Sequence, residues 1–337
     1  MDRKNLILYS ILVILLIYPL FYVDLRLISS KSEELSVRNN LGISTLYTTP
    51  IAIDDTPGSL NNWTWAKDQG YCTGSGTPTD PYTIKNHVFN TSSIPNSPLW
   101  IQDSSKYFVV ENCHFIGDSN YGGIYMQNVS NGIIRSNTIG IPMGALVYMR
   151  NSSYNIISNN IASNGALYGL VAAGTLGPTR YNTISNNIFS NNGISGINLR
   201  SGCESNTITE NIINDNVNSG IDLDSGTGNN RIYLNCLNNT VNAIDDGTNN
   251  QWDHGNKGNY WEDYAGVDTD GDGIGDTAYI ISGSAGSQDN YPLMKCPEKS
   301  TESGIPGYDF GILSVSLIVL TAAIIYLTLK KRRKIRR

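Results

Sequence analysis

Apolar and polar residues alternate one by one over short stretches in the middle of the chain. Ile194–Leu199 and Gly220–Leu223 show this period of two, which is typical of strands with one buried face. The intervening stretches are rich in Asn, Gly and Ser, which favour turns and disfavour helices. The pattern predicts an all-β protein built from short strands and tight turns.

A longer period is superimposed on this alternation. An Asn followed by one or two apolar residues recurs at spacings of 25, 23, 27, 24 and 24 residues. These residues are Asn112, Asn137, Asn160, Asn187, Asn211 and Asn235. A period of this length, made of strands without helical segments, predicts a right-handed single-stranded parallel β-helix, which is a solenoid.

Stacking of the turns explains the composition of the repeats. We expect inward Ile, Leu and Val columns about 4.8 Å apart. The recurring Asn residues are expected to adopt left-handed backbone geometry and to link their amides in ladders. Gly169, Gly196 and Gly220 fall at equivalent points, where a Cβ is not expected to fit.

The repeats are legible from Val109 to Asp246, and the ends of such a cylinder must be covered. We therefore assign a β-helix with an N-terminal cap to residues 50–250, with Asn62–Trp65 as part of that cap. Residues 251–296, where the repeat gives way to a Gly- and Asp-rich segment, are assigned to a C-terminal cap.

Both ends of the chain carry apolar runs. Leu6–Val23 follows Arg3 and Lys4, so residues 1–30 are predicted to be a secretory signal or a membrane anchor. Phe310–Leu329 is long enough to cross a bilayer, which predicts a transmembrane helix within residues 305–330.

A basic tail sets the predicted orientation in the membrane. Seven of the eight residues in 330–337 are Lys or Arg, so the tail 331–337 is expected in the cytoplasm and the β-helix outside the cell. The span from Asp24 to Gly304 holds 14 basic and 27 acidic residues, a formal charge of 14 − 27 = −13. A surface of that sign repels nucleic acid, so no nucleic-acid partner is predicted.

Five Cys residues leave at least one unpaired. A Cys72–Cys113 disulfide could tie the N-terminal cap to the first turn, while Cys113 and Cys236 could equally be buried as small apolar residues. Five Asn-x-Ser/Thr sequons indicate a glycoprotein where the host glycosylates: Asn62, Asn90, Asn128, Asn151 and Asn238.

An Asp-rich loop predicts a Ca²⁺ site in the C-terminal cap. Asp268, Asp270, Asp272 and Asp276 occupy relative positions 1, 3, 5 and 9, with Gly271 and Gly273 between them. This matches the start of an EF-hand-type loop, in which the Ile274 carbonyl would be the position-7 ligand. Position 12 is Tyr279 instead of Glu, so the usual bidentate ligand is missing. An acidic turn without metal is the alternative.

The Asn repeats and the C-terminal segment together resemble NosD-like β-helix proteins, within a group of carbohydrate-binding and sugar-hydrolase β-helices. The resemblance covers residues 50–294 and is carried most specifically by Asp245–Asp253, Gly258–Trp261, Asp272–Asp276 and Asp289–Leu293. The arrangement of apolar runs at both ends is similar to that of archaeal cell-surface members. The family label implies copper binding and a role in maturing a copper enzyme.

The residues themselves nevertheless argue against copper as a cofactor. Cu(I) prefers Met and Cys, and imidazole suits Cu(II). His87, His114 and His254 are scattered along the chain. Met126 and Met149 lie on consecutive turns, where core packing is the usual role.

A catalytic alternative rests on carboxylates in the last turns. Aligning Ile221 with Ile244 stacks Asp222 over Asp245 on an outward face. Asn198 would lie one turn earlier, and Asp224 and Asp246 nearby. Paired carboxylates serve as acid and base in glycoside hydrolysis, and Arg200 and Arg231 could bind a substrate carboxylate. If the protein is an enzyme, it is predicted to be a polysaccharide lyase, epimerase or glycoside hydrolase acting through Asp222, Asp245 and Asp224.

The function that we favour from the sequence is non-catalytic. An elongated face bearing Tyr, Asn and Asp suits stacking on sugars and hydrogen bonding to them, with Tyr125, Tyr148 and Tyr168 as candidate aromatics. We expect a membrane-anchored extracellular protein that binds surface glycans or envelope proteins. A polysaccharide-active enzyme and a copper-maturation factor are the alternatives.

Overall fold

A computed structural model of the 337-residue chain describes residues 45–91, 97–116, 122–139, 144–165 and 167–297. The apolar segments predicted in 1–30 and 305–330, and the basic tail, lie outside these ranges. Within the described ranges, no helix is both long and apolar enough to cross a membrane.

Most strands of the described chain stack in three parallel sheets, which confirms the predicted parallel solenoid. The nine-strand sheet contains, in stacking order, β1 (Thr45–Tyr47), β4 (His87–Asn90), β7 (His114–Ile116), β10 (Thr138–Ile139), β13 (Ile161–Ser163), β17 (Ile188–Ser190), β21 (Ile212–Asn214), β24 (Cys236–Asn238) and β26 (Tyr260–Trp261). The eight-strand sheet contains β2 (Ile51–Asp54), β5 (Leu99–Ser104), β8 (Ile124–Val129), β11 (Val147–Arg150), β14 (Tyr168–Ala173), β18 (Ser195–Leu199), β22 (Ser219–Leu223) and β25 (Ala243–Asp245).

The seven-strand sheet forms the third side of the described solenoid. It contains β3 (Tyr82–Lys85), β6 (Phe108–Glu111), β9 (Gly132–Arg135), β12 (Ile156–Ser158), β16 (Thr183–Ser185), β20 (Thr207–Thr209) and β23 (Arg231–Tyr233). Two short pairs lie outside these sheets: β15 (Thr179–Arg180) with β19 (Cys203–Glu204), and the antiparallel β27 (Tyr279–Ile280) with β28 (Gln288–Asp289).

Register places like residues above one another inside the cylinder. The inward column of the seven-strand sheet is fully buried and consists of Ile84, Val110, Ile134, Ile157, Ile184, Ile208 and Ile232. Met126 and Met149 pair on consecutive strands of the eight-strand sheet and are also fully buried, so both fill the core. Gly169, Gly196 and Gly220 are equivalent, and a Cβ on Gly196 would lie 2.5 Å from Ile213 Cγ2.

Asn residues, most of them buried, form three hydrogen-bonded ladders along the solenoid. Ladder 1 contains Asn137, Asn160, Asn187, Asn211, Asn235 and Asn259. Ladder 2 contains Asn155, Asn182, Asn206, Asn230 and Asn250, and ladder 3 contains Asn192, Asn216, Asn239 and Asn242. In each step a backbone N–H and the side-chain amide donate to the next Oδ1, as at Asn187, where both reach Asn211 Oδ1 at 2.9 and 3.0 Å.

The ladders confirm the predicted amide stacking but correct two of its details. Positive φ occurs one residue before the ladder Asn, as at Ser136 (56°) and Glu210 (57°). The residue that adopts the left-handed conformation is therefore not the residue whose side chain hydrogen-bonds to the buried backbone. Asn112 belongs to this left-handed position (φ 51°), and Cys113 occupies the ladder position, donating its N–H to Asn137 Oδ1.

The N-terminal cap segment forms helix α1 (Trp63–Asp68). Asn62 begins the helix because its Oδ1 accepts the N–H of Trp65 at 3.0 Å. Trp63 is buried, stacks on Tyr82 at 4.9 Å between ring centres, and donates its indole N–H to Ser104 Oγ. The helix thereby places a large apolar side chain against the first turns of the core.

The C-terminal cap is attached covalently to the solenoid. Cys236 forms a disulfide with Cys296, across 60 residues. Cys72, Cys113 and Cys203 are free and buried, so the alternative of a Cys72–Cys113 disulfide is wrong. Burial of Cys113 as a small apolar residue is confirmed, and the bonding of Cys236 corrects the same expectation for that residue.

Candidate functional site

Outward side chains of the eight-strand sheet form an aromatic strip, which we define as Trp100, Tyr125, Tyr148 and Tyr168. The first three rings are in contact in succession, and Arg200 connects Tyr148 to Tyr168. The first three occupy one register column on β5, β8 and β11. Their ring centres lie 4.0 Å (Trp100–Tyr125) and 5.6 Å (Tyr125–Tyr148) apart. Tyr125 is almost fully buried between its neighbours, while the other three are half-buried and reach solvent. A row of aromatic rings that reaches solvent presents an amphipathic surface.

The strip is held in place by amides on the next outward column. Gln102 Oε1 accepts the indole N–H of Trp100 at 2.8 Å, and Gln127 Oε1 accepts the hydroxyl of Tyr125 at 3.1 Å. Gln102 and Gln127 are themselves paired in register. The rings of Trp100 and Tyr125 are therefore each oriented by a side chain two residues further along the same strand.

Arg200 joins the aromatic strip to polar residues of the following turns. Its guanidinium lies 6.0 Å from the ring centre of Tyr148 and 5.4 Å from that of Tyr168. Its Nε donates to Asn198 Oδ1 at 2.9 Å, and Asn198 Nδ2 donates to Asp224 Oδ1 at 3.2 Å. Asn198 pairs in register with Asp222, as the sequence predicted.

The strip ends in a carboxylate cluster formed by Asp222, Asp224 and Asp246. The pKa of Asp222 is raised to about 6, first by burial and then by the charges of Asp224 and Asp246, while Arg200 acts against them. The pKa of Asp246 is lowered instead, because the backbone N–H and the hydroxyl of Ser284 donate to its carboxylate. Neighbouring carboxyls whose pKa values are pushed apart can hold and release a proton near neutral pH.

Asp245 is not part of this cluster, so the predicted pairing with Asp222 is wrong. Register pairs Asp222 with Ile244 and Leu223 with Asp245, which turns Asp245 into the core at 1 % exposure. Its carboxylate accepts hydrogen bonds from Gly247 N, Asn250 Nδ2, Trp252 Nε1 and Ser287 Oγ. Asp245 therefore organises the C-terminal cap.

Arg231 does not join the cluster either. It begins β23 of the seven-strand sheet, whereas Asp222 lies on β22 of the eight-strand sheet. Trp100 is the functional candidate that the sequence reasoning missed. Its position in Leu99-Trp100-Ile101, between two inward apolar residues, was the available signal.

The Asp-rich loop brings three of its predicted ligands together. Oxygen atoms of Asp268, Asp270 and Asp276 lie within 4.8 Å of one another. Asp272 is outside that group, and its Oδ1 accepts the N–H of Ile274 at 2.8 Å. Three carboxylates on a turning backbone offer the hard oxygen ligands that Ca²⁺ prefers.

The three His residues do not converge. His87 and His114 lie on consecutive strands of the nine-strand sheet, where His114 pairs with Val88. Burial lowers the pKa of His87 and lowers that of His114 to about 4. His254 lies in the C-terminal cap, 5.3 Å from Tyr233 between ring centres.

The three stacked sheets define a parallel β-solenoid. Residues 71–237 match the family model described as a right handed beta helix region. No curated protein sequence matches the chain.

Solved structures that are similar to the chain include two carbohydrate-active enzymes. Pectate lyase Pel9A is 13 % identical, with a TM-score of 0.37, covering 79 % of this chain and 83 % of that one. The A-module of mannuronan C-5 epimerase AlgE4 from Azotobacter vinelandii is 14 % identical, with a TM-score of 0.29, covering 61 % of this chain and 81 % of that one. Similarity at this level carries no inference about activity.

Proposed function

We propose that the eight-strand sheet is a non-catalytic binding face for an extended glycan. The observation that carries this proposal is the continuity of the face, in which the aromatic strip leads through Arg200 into the carboxylate cluster. Sugar rings stack on aromatic faces, while their hydroxyls suit the amide, guanidinium and carboxylate groups at the end of the strip. This reading agrees with the resemblance to carbohydrate-binding β-helices.

A glycan-binding screen on the full-length chain tests the proposal, with and without Ca²⁺. For any glycan that binds, Tyr148→Ala should weaken affinity about tenfold, equivalent to about 1.4 kcal/mol. Tyr107→Ala is the matched control, because Tyr107 is 39 % exposed and precedes β6 of a different sheet. Equal affinities of wild type and Tyr148→Ala for every bound glycan would contradict the proposal.

A catalytic function is the second candidate, and the raised pKa of Asp222 favours it. A carboxyl with a pKa of about 6 beside two other carboxylates could donate or accept a proton during glycosidic-bond cleavage or epimerisation. Turnover of polyuronates by the full-length chain, abolished by Asp222→Asn, would establish this candidate. Binding without turnover would leave the non-catalytic function.

We propose that the Asp-rich loop binds Ca²⁺ and stabilises the C-terminal cap. The loop is anchored there because Ile274 bridges to Leu293, which in turn bridges to Tyr260 of β26. Chelation should lower the melting temperature of wild type, but not of an Asp268→Asn and Asp270→Asn double variant. An unchanged melt together with elemental analysis showing no bound calcium would refute the site.

The proposed setting is the outer face of a cell membrane, with the C-terminus in the cytoplasm. The apolar run Phe310–Leu329 and the basic tail after it support this orientation. Protease added to intact cells should digest the β-helix and spare an epitope tag at the C-terminus. Digestion of the tag, or recovery of the protein in the soluble fraction, would contradict the proposed setting.

A further inference from the structure

A second aromatic surface lies just before two neighbouring strands of the seven-strand sheet, β12 and β16. Tyr154 and Tyr181 are 59 % and 47 % exposed, and they stack at 5.1 Å between ring centres with 23° between their planes. We call this pair the tyrosine ridge. The guanidinium of Arg180 lies 5.5 Å from the ring centre of Tyr181. Among the described residues, no ring contact or cation–π contact joins the ridge to the aromatic strip on the eight-strand sheet.

The backbone under the ridge is unusual for Tyr. Tyr154 and Tyr181 have φ values of 59° and 55°, in the left-handed region that bulky side chains disfavour. Equivalent positions on other turns carry residues that tolerate this conformation better, namely Asn131, Ser205, Asn229 and Asn249. Backbone strain of this kind is often found at functional sites. Two exposed Tyr residues that share it on consecutive turns therefore point to a ligand-binding site.

A polar groove of about 470 Å³ begins at Tyr181 and continues along the sheet. Its lining includes Thr183, Thr207 and Arg231, which occupy one outward register column on β16, β20 and β23. Gln251 bridges to Arg231 and extends the column. Thr183, at the end of this column next to the ridge, lies two strands away from Arg231, which is a distance of about 10 Å. This length suits an extended chain better than a compact ligand.

The charge of the groove differs from that of the molecule. No carboxylate lines it among the described residues, although the span from Asp24 to Gly304 has a formal charge of −13, from 14 basic and 27 acidic residues. Arg231 is exposed and its side chain has no hydrogen bond or ion pair within the described chain. By contrast, the hollow on the other side of the ridge includes Asp103.

We infer that the tyrosine ridge and this groove form a second glycan-binding site, which takes an anionic polysaccharide strand such as a polyuronate. A sugar ring stacks on Tyr181, hydroxyls meet Thr183 and Thr207, and a sugar carboxylate pairs with Arg231. This site lies on a different sheet from the proposed glycan-binding face and does not depend on it.

Isothermal titration of the full-length chain with hexagalacturonate, and with neutral xylohexaose, tests the inference. The Tyr148→Ala background weakens binding to the eight-strand sheet, so a further loss of hexagalacturonate affinity on substitution of a groove residue reports the groove. In that background, Arg231→Gln and Tyr181→Ala should each weaken hexagalacturonate binding at least tenfold. Arg231→Gln should leave any xylohexaose binding unchanged, and added salt should weaken only the uronate.

Tyr107→Ala is the control for removal of an exposed Tyr next to the same sheet. Melting curves establish that each variant is folded, and none of these changes removes a buried group. Hexagalacturonate affinity that is unchanged in both Arg231→Gln and Tyr181→Ala would overturn the inference. Absence of hexagalacturonate binding in the Tyr148→Ala background would also overturn it, whatever the screen shows for the eight-strand face.

Discussion

Asp222 and Asp245 lie on adjacent strands but face opposite sides of the sheet, and this difference separates a site residue from a structural one. Asp222 faces outward near Asp224, Asp246 and Arg200. Asp245 faces inward and receives four hydrogen bonds. Side chains alternate across a strand, so a shift of register by one residue exchanges the two roles.

The first prediction concerns the ionisation of Asp222. Its pKa of about 6 is raised by burial and by neighbouring charges, so it should be largely protonated below that pH. Removal of one neighbouring charge in Asp224→Asn should lower the pKa of Asp222, and Arg200→Gln should raise it. Carboxylate ¹³C NMR titration measures both changes. An Asp222 pKa that stays the same in Asp224→Asn would contradict the described cluster.

The second prediction concerns Asp245. Both of its carboxylate oxygens accept from donors, so the amide of Asp245→Asn must place an NH₂ group against a donor. This should lower the free energy of unfolding by about 1–3 kcal/mol. Asp222→Asn loses no buried hydrogen bond and should not destabilise the fold. Urea denaturation of the two variants distinguishes them, and equal stability would contradict the assignment.

Sequence reasoning located Asp222 and Asn198 correctly but misplaced Asp245 for a physical reason. The alignment matched Ile221 to Ile244 because inward positions are normally apolar, while register pairs Ile221 with Ala243. The C-terminal cap covers this last turn, since Ile244 bridges to Ser282. An apolar residue can therefore face outward there, and a carboxylate can be buried among the donors of the cap.

At the scale of elements, the Asn ladders connect the turns in one direction and end on carboxylates. Ladder 1 ends at Asp289, ladder 2 at Asp245 and ladder 3 at Asp263. Each side-chain amide accepts hydrogen bonds from the Asn of the previous turn and donates a hydrogen bond to the Asn of the next turn. The last Asn of a ladder therefore donates to a group outside the ladder that only accepts hydrogen bonds. A carboxylate meets this need. The repeat predicted the ladders, but their ends lie in non-repeating sequence and could not be predicted from the period.

The third prediction tests a ladder. Asn211 Oδ1 accepts from Asn187, and Asn211 Nδ2 donates to Asn235, Ile184 and Thr209. Asn211→Ala leaves several buried groups unpaired, at about 1–3 kcal/mol each, so we expect a loss of at least about 3 kcal/mol in the free energy of unfolding.

Asn218→Ala is the matched control, because Asn218 is exposed and its side chain lies outside the ladders. Its stability should lie within about 0.5 kcal/mol of wild type. Urea denaturation followed by circular dichroism provides the comparison. If the two variants lost equal stability, the ladders would not be the element that connects the turns.

At the scale of the molecule, the proposed binding sites lie along different faces of one solenoid. The aromatic strip begins at Trp100 and the carboxylate cluster ends the same face at Asp246, so one side of the solenoid changes from apolar to charged along its axis. The period predicted this cylinder because each turn repeats the same strands. The aromatic strip was harder to predict, because outward positions are not constrained by the core and vary from turn to turn.

The most direct test of the glycan-binding face is the tryptophan emission of the full-length chain during titration with a glycan that binds in the screen. Trp63, Trp252 and Trp261 are each 1 % exposed, and the half-buried Trp65 lies in helix α1 of the N-terminal cap, whereas Trp100 is half-buried in the aromatic strip. We predict an emission change on saturation that Trp100→Phe removes while binding is retained. The same change in Trp100→Phe, or none in wild type with glycan bound, would contradict binding along this face.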